Sequence, residues 1–338
     1  MFSSQFAVSP ADGPIAVTGA SGYIGSWIVQ DCMDQGYEVR ACVRDKNNPA
    51  KVDHLLELNY DGMRGSVTLF EADLFKPGSY DEAFQGCAAV IHAGATVGFN
   101  KETPQEVYDG CFKENAHVIE SVKRSGSVKR FVFTSSFAAV GHPRPEGYVF
   151  TEKDWCGDNV EAYKGRWSEE QISQNRDIAY AMAKANSEKL IYAEAEADGS
   201  FEALAILPLH VVGPLIAPNH DQPWSWQNHI RGMMQGKAYR GGREGRMLWN
   251  AVDVRDVARA HRLSIETTIG TNGSRYILSA ADRSSELYTW QLQALLESMY
   301  PMVEEIGGEP MEGDMPAQTT YDAPRAYCLL AMQELGLE

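Results

Sequence analysis

Tyr180 and Lys184 stand four residues apart in Tyr180-Ala181-Met182-Ala183-Lys184. The surrounding pattern predicts a helix over 178–197, which puts both side chains on one helix face. A lysine ammonium beside a phenol favours the phenolate and draws its pKa down from about 10. A tyrosine held that way can exchange a proton near neutral pH. Upstream, Phe133-Thr134-Ser135-Ser136 closes a predicted strand over 130–135. A serine hydroxyl at that strand end can bond the same reacting oxygen. Tyr-x-x-x-Lys arises by chance in many chains, so its meaning depends on what accompanies it.

What accompanies it is the stretch from Ile15 to Ser26, IAVTGASGYIGS. It reads as a short apolar strand, a glycine turn and the first turn of a helix. Gly19, Gly22 and Gly25 are spaced by threes. Glycine has no Cβ and tolerates positive φ, so backbone N–H groups can approach a bound anion. A helix start behind the turn adds unsatisfied donors and a positive dipole end. Together they suit the pyrophosphate of a dinucleotide at the first βα turn of an α/β sheet. The spacing is G-x-x-G-x-x-G rather than G-x-G-x-x-G, and a tight turn without a ligand is the plain alternative.

Further residues fall at the ends of predicted strands. Arg44 follows the run 37–43, and Lys51 lies seven positions on. An arginine there accommodates a 2′-phosphate and favours NADP, whereas an acidic residue would favour NAD; a solvated surface arginine is the other reading. Asp73 and Leu74 follow the run 67–72. Asp73 can accept from the adenine amino group with Leu74 against the ring, or it can cap a turn. After the run 88–93 come small residues, Ala93, Gly94 and Ala95, which let the backbone lie close to a cofactor.

The elements that must position these residues alternate. Predicted strands at 37–43, 67–72, 88–93, 130–135 and 201–207 are separated by helical patterns at 23–35, 50–60, 80–85, 104–125 and 178–197. That order implies βαβ units and a parallel sheet with helices on both faces. Beyond Leu207 the pattern loosens. Residues 213–221 are rich in Pro, Asn and His, and Trp224, Trp226 and Trp249 cluster in this part. Their apolar rings would cap the cofactor edge or simply pack a core. The expected class is α/β: a doubly wound parallel sheet with a smaller, discontinuous C-terminal lobe. An acidic stretch, 151–174, interrupts the chain before the Tyr180 helix.

The chain has 338 residues, 44% hydrophobic and 22% charged, with net charge −16. That balance argues against nucleic acid or an anionic membrane as partner, since both need a basic face. The six cysteines form no C-x-x-C pair and no zinc spacing with histidine. Scattered thiols suit a reducing, cytoplasmic setting. No apolar run is long enough to span a bilayer. The N-terminal MFSSQFAVSPADGP lacks signal-peptide form and reads as a loose leader.

Taken together, these residues resemble an extended short-chain dehydrogenase/reductase. Within it, the chain is most similar to the dihydroflavonol reductase / cinnamoyl-CoA reductase-like group of NADPH-dependent carbonyl reductases. The likeness is carried by VTGASGYIGSW (17–27), VRDKNNPAKVDHLLEL (43–58), FEADL (70–74), FKPGSYDEAFQGC (75–87) and VKRFVFTSS (128–136). It continues through YAMAK (180–184), ILPLHVVGP (206–214), AVDVRDVARAH (251–261) and SRYILSA (274–280). The resemblance implies a Rossmann-type fold, NADPH/NADP+ and a Ser136, Tyr180, Lys184 catalytic set. It puts the pyrophosphate on Gly19, Ser21, Gly22, Tyr23, Ile24 and Gly25, the 2′-phosphate on Arg44 and Lys51, and adenine on Asp73 and Leu74. Ala93, Gly94 and Ala95 would line the cofactor, Lys184 would also hold the nicotinamide ribose, and Pro208 to Val211 would meet the carboxamide. It further implies an NADP-binding domain over 1–207, with an acidic excursion at about 141–177. A lobe over 208–338 would bind substrate, with 250–280 returning to the core.

Departures restrict the substrate. Gly141 stands where flavonoid enzymes carry an asparagine, and RDIAYAMAK replaces the long signature of the plant cinnamoyl-CoA enzymes. Asn115 falls where many extended members have a proton-relay asparagine; capping or packing are its other readings. The expected activity is reduction of an aromatic or bulky apolar aldehyde or ketone, by a monomer or homodimer whose partner is that small carbonyl substrate. Two rivals remain. Arg240, Arg243 and Arg246 would suit the diphosphate of a nucleotide sugar, and a non-catalytic NADP-sensing protein would keep the glycine turn.

Overall fold

Strands β1 (Ile15–Thr18), β4 (Ala89–His92) and β5 (Arg130–Thr134) are buried along their whole length. Short runs of Val, Ile, Phe and Ala with no polar face are what a parallel strand covered on both sides requires. With β2 (Glu38–Val43), β3 (Ser66–Glu71), β7 (Glu202–Pro208) and β11 (Ser274–Leu278) they form a seven-stranded sheet. Its order is β11-β7-β5-β4-β1-β2-β3, with every pairing parallel. The order reverses between β1 and β4, the switch point at which α/β sheets open a crevice. This computed structural model describes residues 5–95, 103–141, 148–157, 175–223, 225–234, 248–279, 287–299 and 320–321. Trp224, Arg240, Arg243, Arg246, Cys328 and most of the acidic excursion lie outside them.

Helices α1 (Tyr23–Asp34), α2 (Pro49–Leu56), α3 (Asp81–Phe84), α4 (Pro104–Ser125) and α5 (Arg176–Asp198) are the crossovers. α4 begins with a Thr103/Glu106 capping box and stops at Gly126 in the left-handed region. It packs along α5, and α1 packs along α7 (Val254–Glu266), giving two helical layers. α2 ends at Leu56, short of the expected Tyr60. There Asn59 bonds the backbone of Val67 through both side-chain atoms, at 3.0 and 2.9 Å, and turns the chain into β3. Outside the main sheet, β6 (Val149–Phe150) pairs with β13 (Thr320–Tyr321), β8 (His210–Val212) with β10 (Ala251–Asp253), and β9 (Leu248–Trp249) with β12 (Leu287–Tyr288). Helix α6 (Trp226–Met234) packs on α8 (Thr289–Met299) through a small separate cluster in which Met233 is buried among Trp226, Ile230, Leu292 and Leu296.

The N-terminal segment is no loose leader. Val8 is buried, its N–H donates to Ile265 at 2.8 Å, and its carbonyl accepts from Tyr37 at 3.0 Å. Docking on α7 over the edge of the core supplies what the composition of this segment concealed. Among the described residues no helix is long and apolar enough to cross a membrane.

Two fully buried histidines tie strands to helices. His92 joins Thr18 of β1 (2.6 Å) to Asn115 of α4 (2.9 Å). His261 of α7 donates Nδ1–H to Val257 (2.7 Å) and so accepts at Nε2 from Thr134 of β5 (2.7 Å). Burial lowers His92 to about 3, with Lys184 adding to it, and lowers His261 to about 4. Both are neutral when folded and near 6.5 when unfolded. Their stabilisation is therefore complete above about pH 6.5 and is lost as pH falls toward the folded values. Each is expected to cost about 2 kcal/mol at pH 5 relative to pH 7.5. Urea midpoints at the two pH values measure this loss, and His261→Gln should remove about half of it. An unchanged slope in that variant contradicts the assignment.

Candidate active site

Strand β5 runs out into Thr134-Ser135-Ser136, and each residue there has a different partner. The Thr134 carbonyl accepts from the Lys184 ammonium at 3.0 Å, and its hydroxyl goes to His261. Ser135 turns into the core and donates to the carboxylate of Glu188. Ser136 is half-buried and caps the short 3-10 turn Phe137–Ala139, its Oγ accepting from Ala138 at 3.2 Å. That hydroxyl also faces the phenol of Tyr180 and pulls its pKa down. Ser136, Tyr180 and Lys184 are thus gathered at one strand end and one helix face.

The electrostatics differ from the sequence expectation. The Tyr180 pKa is pushed up, chiefly by burial and further by Cys111, against the pull of Ser136. Lys184 does not sit at the hydroxyl. Its ammonium is directed at Thr134 and lies 4.8 Å from the Phe133 ring centre and 6.0 Å from that of Tyr180. Burial draws the Lys184 pKa down, against the raising influence of Cys111, Glu114 and Glu188. Four-residue spacing fixes a shared face, but not which atom the ammonium meets.

The glycine turn is shaped by contacts that exclude a side chain. Gly19 has φ +63°, and a Cβ there would lie 2.5 Å from the Cα of Gly94. A Cβ on Gly25 would lie 2.2 Å from the Gly19 carbonyl. The ends of β1 and β4 therefore touch backbone to backbone, with Gly94 N–H on Thr18 Oγ1 at 3.1 Å. Gly22 caps α1 without a side-chain bond, and the first turn holds no acidic residue. An uncapped helix start without negative charge fits an anion. Arg44 at the end of β2 and Lys51 in the first turn of α2 are exposed, and neither side chain makes a hydrogen bond or ion pair among the described residues. A dinucleotide bearing a 2′-phosphate therefore fits the donors present.

Other expected residues have local tasks. Asp73 Oδ1 accepts from Phe75 N–H at 3.0 Å, so Asp73 caps its turn. The Leu74 carbonyl accepts from His117 at 3.0 Å. Asn115 bonds His92 and Ser187 in a buried chain from α5 to β1, as an interior cross-link. Val211 is buried in β8, and Pro208 closes β7 in register with Leu278. Trp226 packs edge-on against His210, 4.1 Å between ring centres.

A cluster over the turn was not foreseen. Ser26 Oγ meets His54 Nε2 at 2.8 Å and His220 Nε2 at 3.4 Å. Asn219 and His220 both reach the Ser21 carbonyl at 3.2 Å. The only sequence sign was the Asn- and His-rich run 213–221.

A family model described as the NAD dependent epimerase/dehydratase family matches residues 15–279. Cinnamoyl-CoA reductase CAD2 of Medicago truncatula is 32% identical over 334 residues, covering 96% of this chain and 90% of the relative. Dihydroflavonol 4-reductase of Arabidopsis thaliana is 35% identical over 206 residues, covering 60% of this chain and 50% of the relative. The structure of Gre2 from Candida albicans in complex with NADPH shares the fold, with TM-score 0.77 at 22% identity, covering 94% of this chain and 93% of that one. The chain belongs to the NAD dependent epimerase/dehydratase family and is an oxidoreductase of the extended short-chain dehydrogenase/reductase type.

The glycine contacts set an expectation. Gly25→Ala drives a Cβ into backbone and is expected to cost about 1–3 kcal/mol, seen as a lower urea midpoint at constant m. Gly22→Ala, whose Cβ would be 3.2 Å from the Gly19 carbonyl, should cost clearly less. Equal costs would contradict the close approach.

Proposed function

We propose that this oxidoreductase reduces an aldehyde or ketone with NADPH, and that its substrate is an aromatic or otherwise bulky apolar carbonyl compound. The observation that carries this reading is the meeting of Ser136, Tyr180 and Lys184 where the end of β5 faces α5. When bound, the reduced nicotinamide supplies a hydride to the carbonyl carbon. Ser136 hydrogen-bonds the carbonyl oxygen and orients it toward the phenol. Tyr180 donates its proton to that oxygen. Its raised pKa keeps the hydroxyl protonated at neutral pH, which suits the direction of reduction. Lys184 holds the strand end through Thr134 and would hold the nicotinamide ribose hydroxyls of a bound cofactor. Asp73 keeps its turn in shape for the adenine end rather than relying on a free carboxylate.

The relatives named for cinnamoyl-CoA and dihydroflavonol reduction support a carbonyl substrate. Gly141 argues against a flavonoid. A Cβ there would already lie 3.2 Å from the Phe137 ring, so an asparagine at this position requires that ring to move. We assign cofactor binding to residues 1–207 together with the returning strand β11 and helix α7. Substrate binding falls to the remaining C-terminal segments, where Trp226 packs edge-on against His210.

Tyr180→Phe is expected to abolish NADPH oxidation with aromatic aldehydes while leaving NADPH affinity nearly intact; substantial residual turnover overturns the proton-donor role. Arg44→Ala is expected to raise the NADPH KM at least about ten-fold with NADH use almost unchanged, the loss of one charge-assisted contact. The ratio of kcat/KM for the two cofactors is the quantity to measure. A wild-type preference for NADH, or an unchanged ratio in the variant, overturns the assignment of Arg44.

A further inference from the structure

We propose that the buried Glu188–Arg275 pair is a positioning device that fixes Ser136 against Tyr180, an inference that rests on the carbonyl-reductase reading above. Glu188 is fully buried on α5, one turn beyond Lys184. One carboxylate oxygen accepts the Ser135 hydroxyl. The other accepts from Arg275 Nε at 2.6 Å and from the Tyr192 hydroxyl at 3.4 Å. Arg275 comes from β11 and spends its remaining donors on backbone. Nη1 reaches the carbonyls of Glu152 (2.9 Å) and Asp154 (2.6 Å), and Nη2 reaches that of Ala139 (3.4 Å). The guanidinium lies 3.7 Å from the centre of the Trp155 ring.

The proposal turns on where these bonds fall. Ser135 precedes Ser136, and Ala139 closes the 3-10 turn that Ser136 caps. The pair therefore grips the peptide on both sides of Ser136, through Glu188 before it and through Arg275 after it. The same carboxylate ties this grip to the helix face that carries Tyr180 and Lys184. As a source of stability a buried ion pair is weak, because desolvating both ions offsets their attraction. As a source of direction it is strong, because a planar guanidinium bonds along fixed lines. Neither residue bonds to Tyr180 among the described contacts, so the pair acts through Ser136 rather than on the reacting atoms.

Ser135→Ala removes one hydroxyl and leaves Ser136 in place, and Glu188→Gln removes the charge without changing shape. Both are assayed with NADPH and whichever aromatic aldehyde the wild-type chain reduces fastest, with Tyr180→Phe alongside. NADPH dissociation constants are read separately from protein fluorescence. Each variant is expected to lose at least ten-fold in kcat while NADPH affinity stays within two-fold. The double variant should lose no more than the worse single one, since both act on the same Ser135–Glu188 contact. A folded Ser135→Ala chain with kcat within three-fold of wild type overturns the proposal. So do a parallel loss of NADPH affinity, additive losses in the double variant, or failure of Ser135→Ala to fold, which would make the bond merely structural. If Tyr180→Phe is inactive while Ser135→Ala is not, only this inference fails. If Tyr180→Phe stays active, the reading of the site fails and takes the inference with it.

Discussion

The polar groups at the buried end of β5 dictate what surrounds them. A strand that ends in Thr-Ser-Ser inside a covered sheet must find partners for two hydroxyls and a carbonyl away from water. Helix α7 supplies His261, and α5 supplies Lys184 and Glu188. That demand makes one face of α5 polar in the midst of an apolar layer. Tyr180, Lys184, Glu188 and Tyr192 recur at every fourth position along it. Two charges on that buried face then need countering. Lys184 is met by a carbonyl and by ring faces. Glu188 is met by Arg275.

The crevice at the switch point obeys a complementary rule. There the backbone itself must come close, so side chains are removed instead of paired. Gly19 and Gly94 bring the ends of β1 and β4 together, and Gly25 lets α1 lie against the Gly19 carbonyl. Beneath them the chain Thr18, His92, Asn115 and Ser187 runs from β1 through α4 to α5. The glycine turn and the Tyr180 helix are thus bridged through the interior by directional bonds between neutral groups.

Much of this was legible in the sequence because it is local. Apolar runs of the right length gave strands within about a residue, glycine spacing gave the turn, and four-residue spacing put Tyr180 and Lys184 on one face. What stayed hidden depends on partners far along the chain. The direction of the Tyr180 pKa follows from burial that no window of sequence reveals. The docking of Val8 rests on Ile265, and Asp73 spends an oxygen on its own turn. Glu188 did leave a sign, a carboxylate four residues past Lys184 on a helix face that must be buried. Its counter-charge, 87 residues away, left none.

That separation has a consequence for how the chain is made. Synthesis runs from the N-terminus at roughly 5–20 residues per second, so the carboxylate of α5 is made roughly 4–17 s before the guanidinium of β11. In that interval β7 is an open edge and Glu188 has no cation from β11. The nascent chain through β7 is an unfinished sheet with an unpaired parallel strand, the kind of edge that invites wrong pairing. Closure waits for the last sheet strand. One event therefore seals the sheet and neutralises the charge behind the serine.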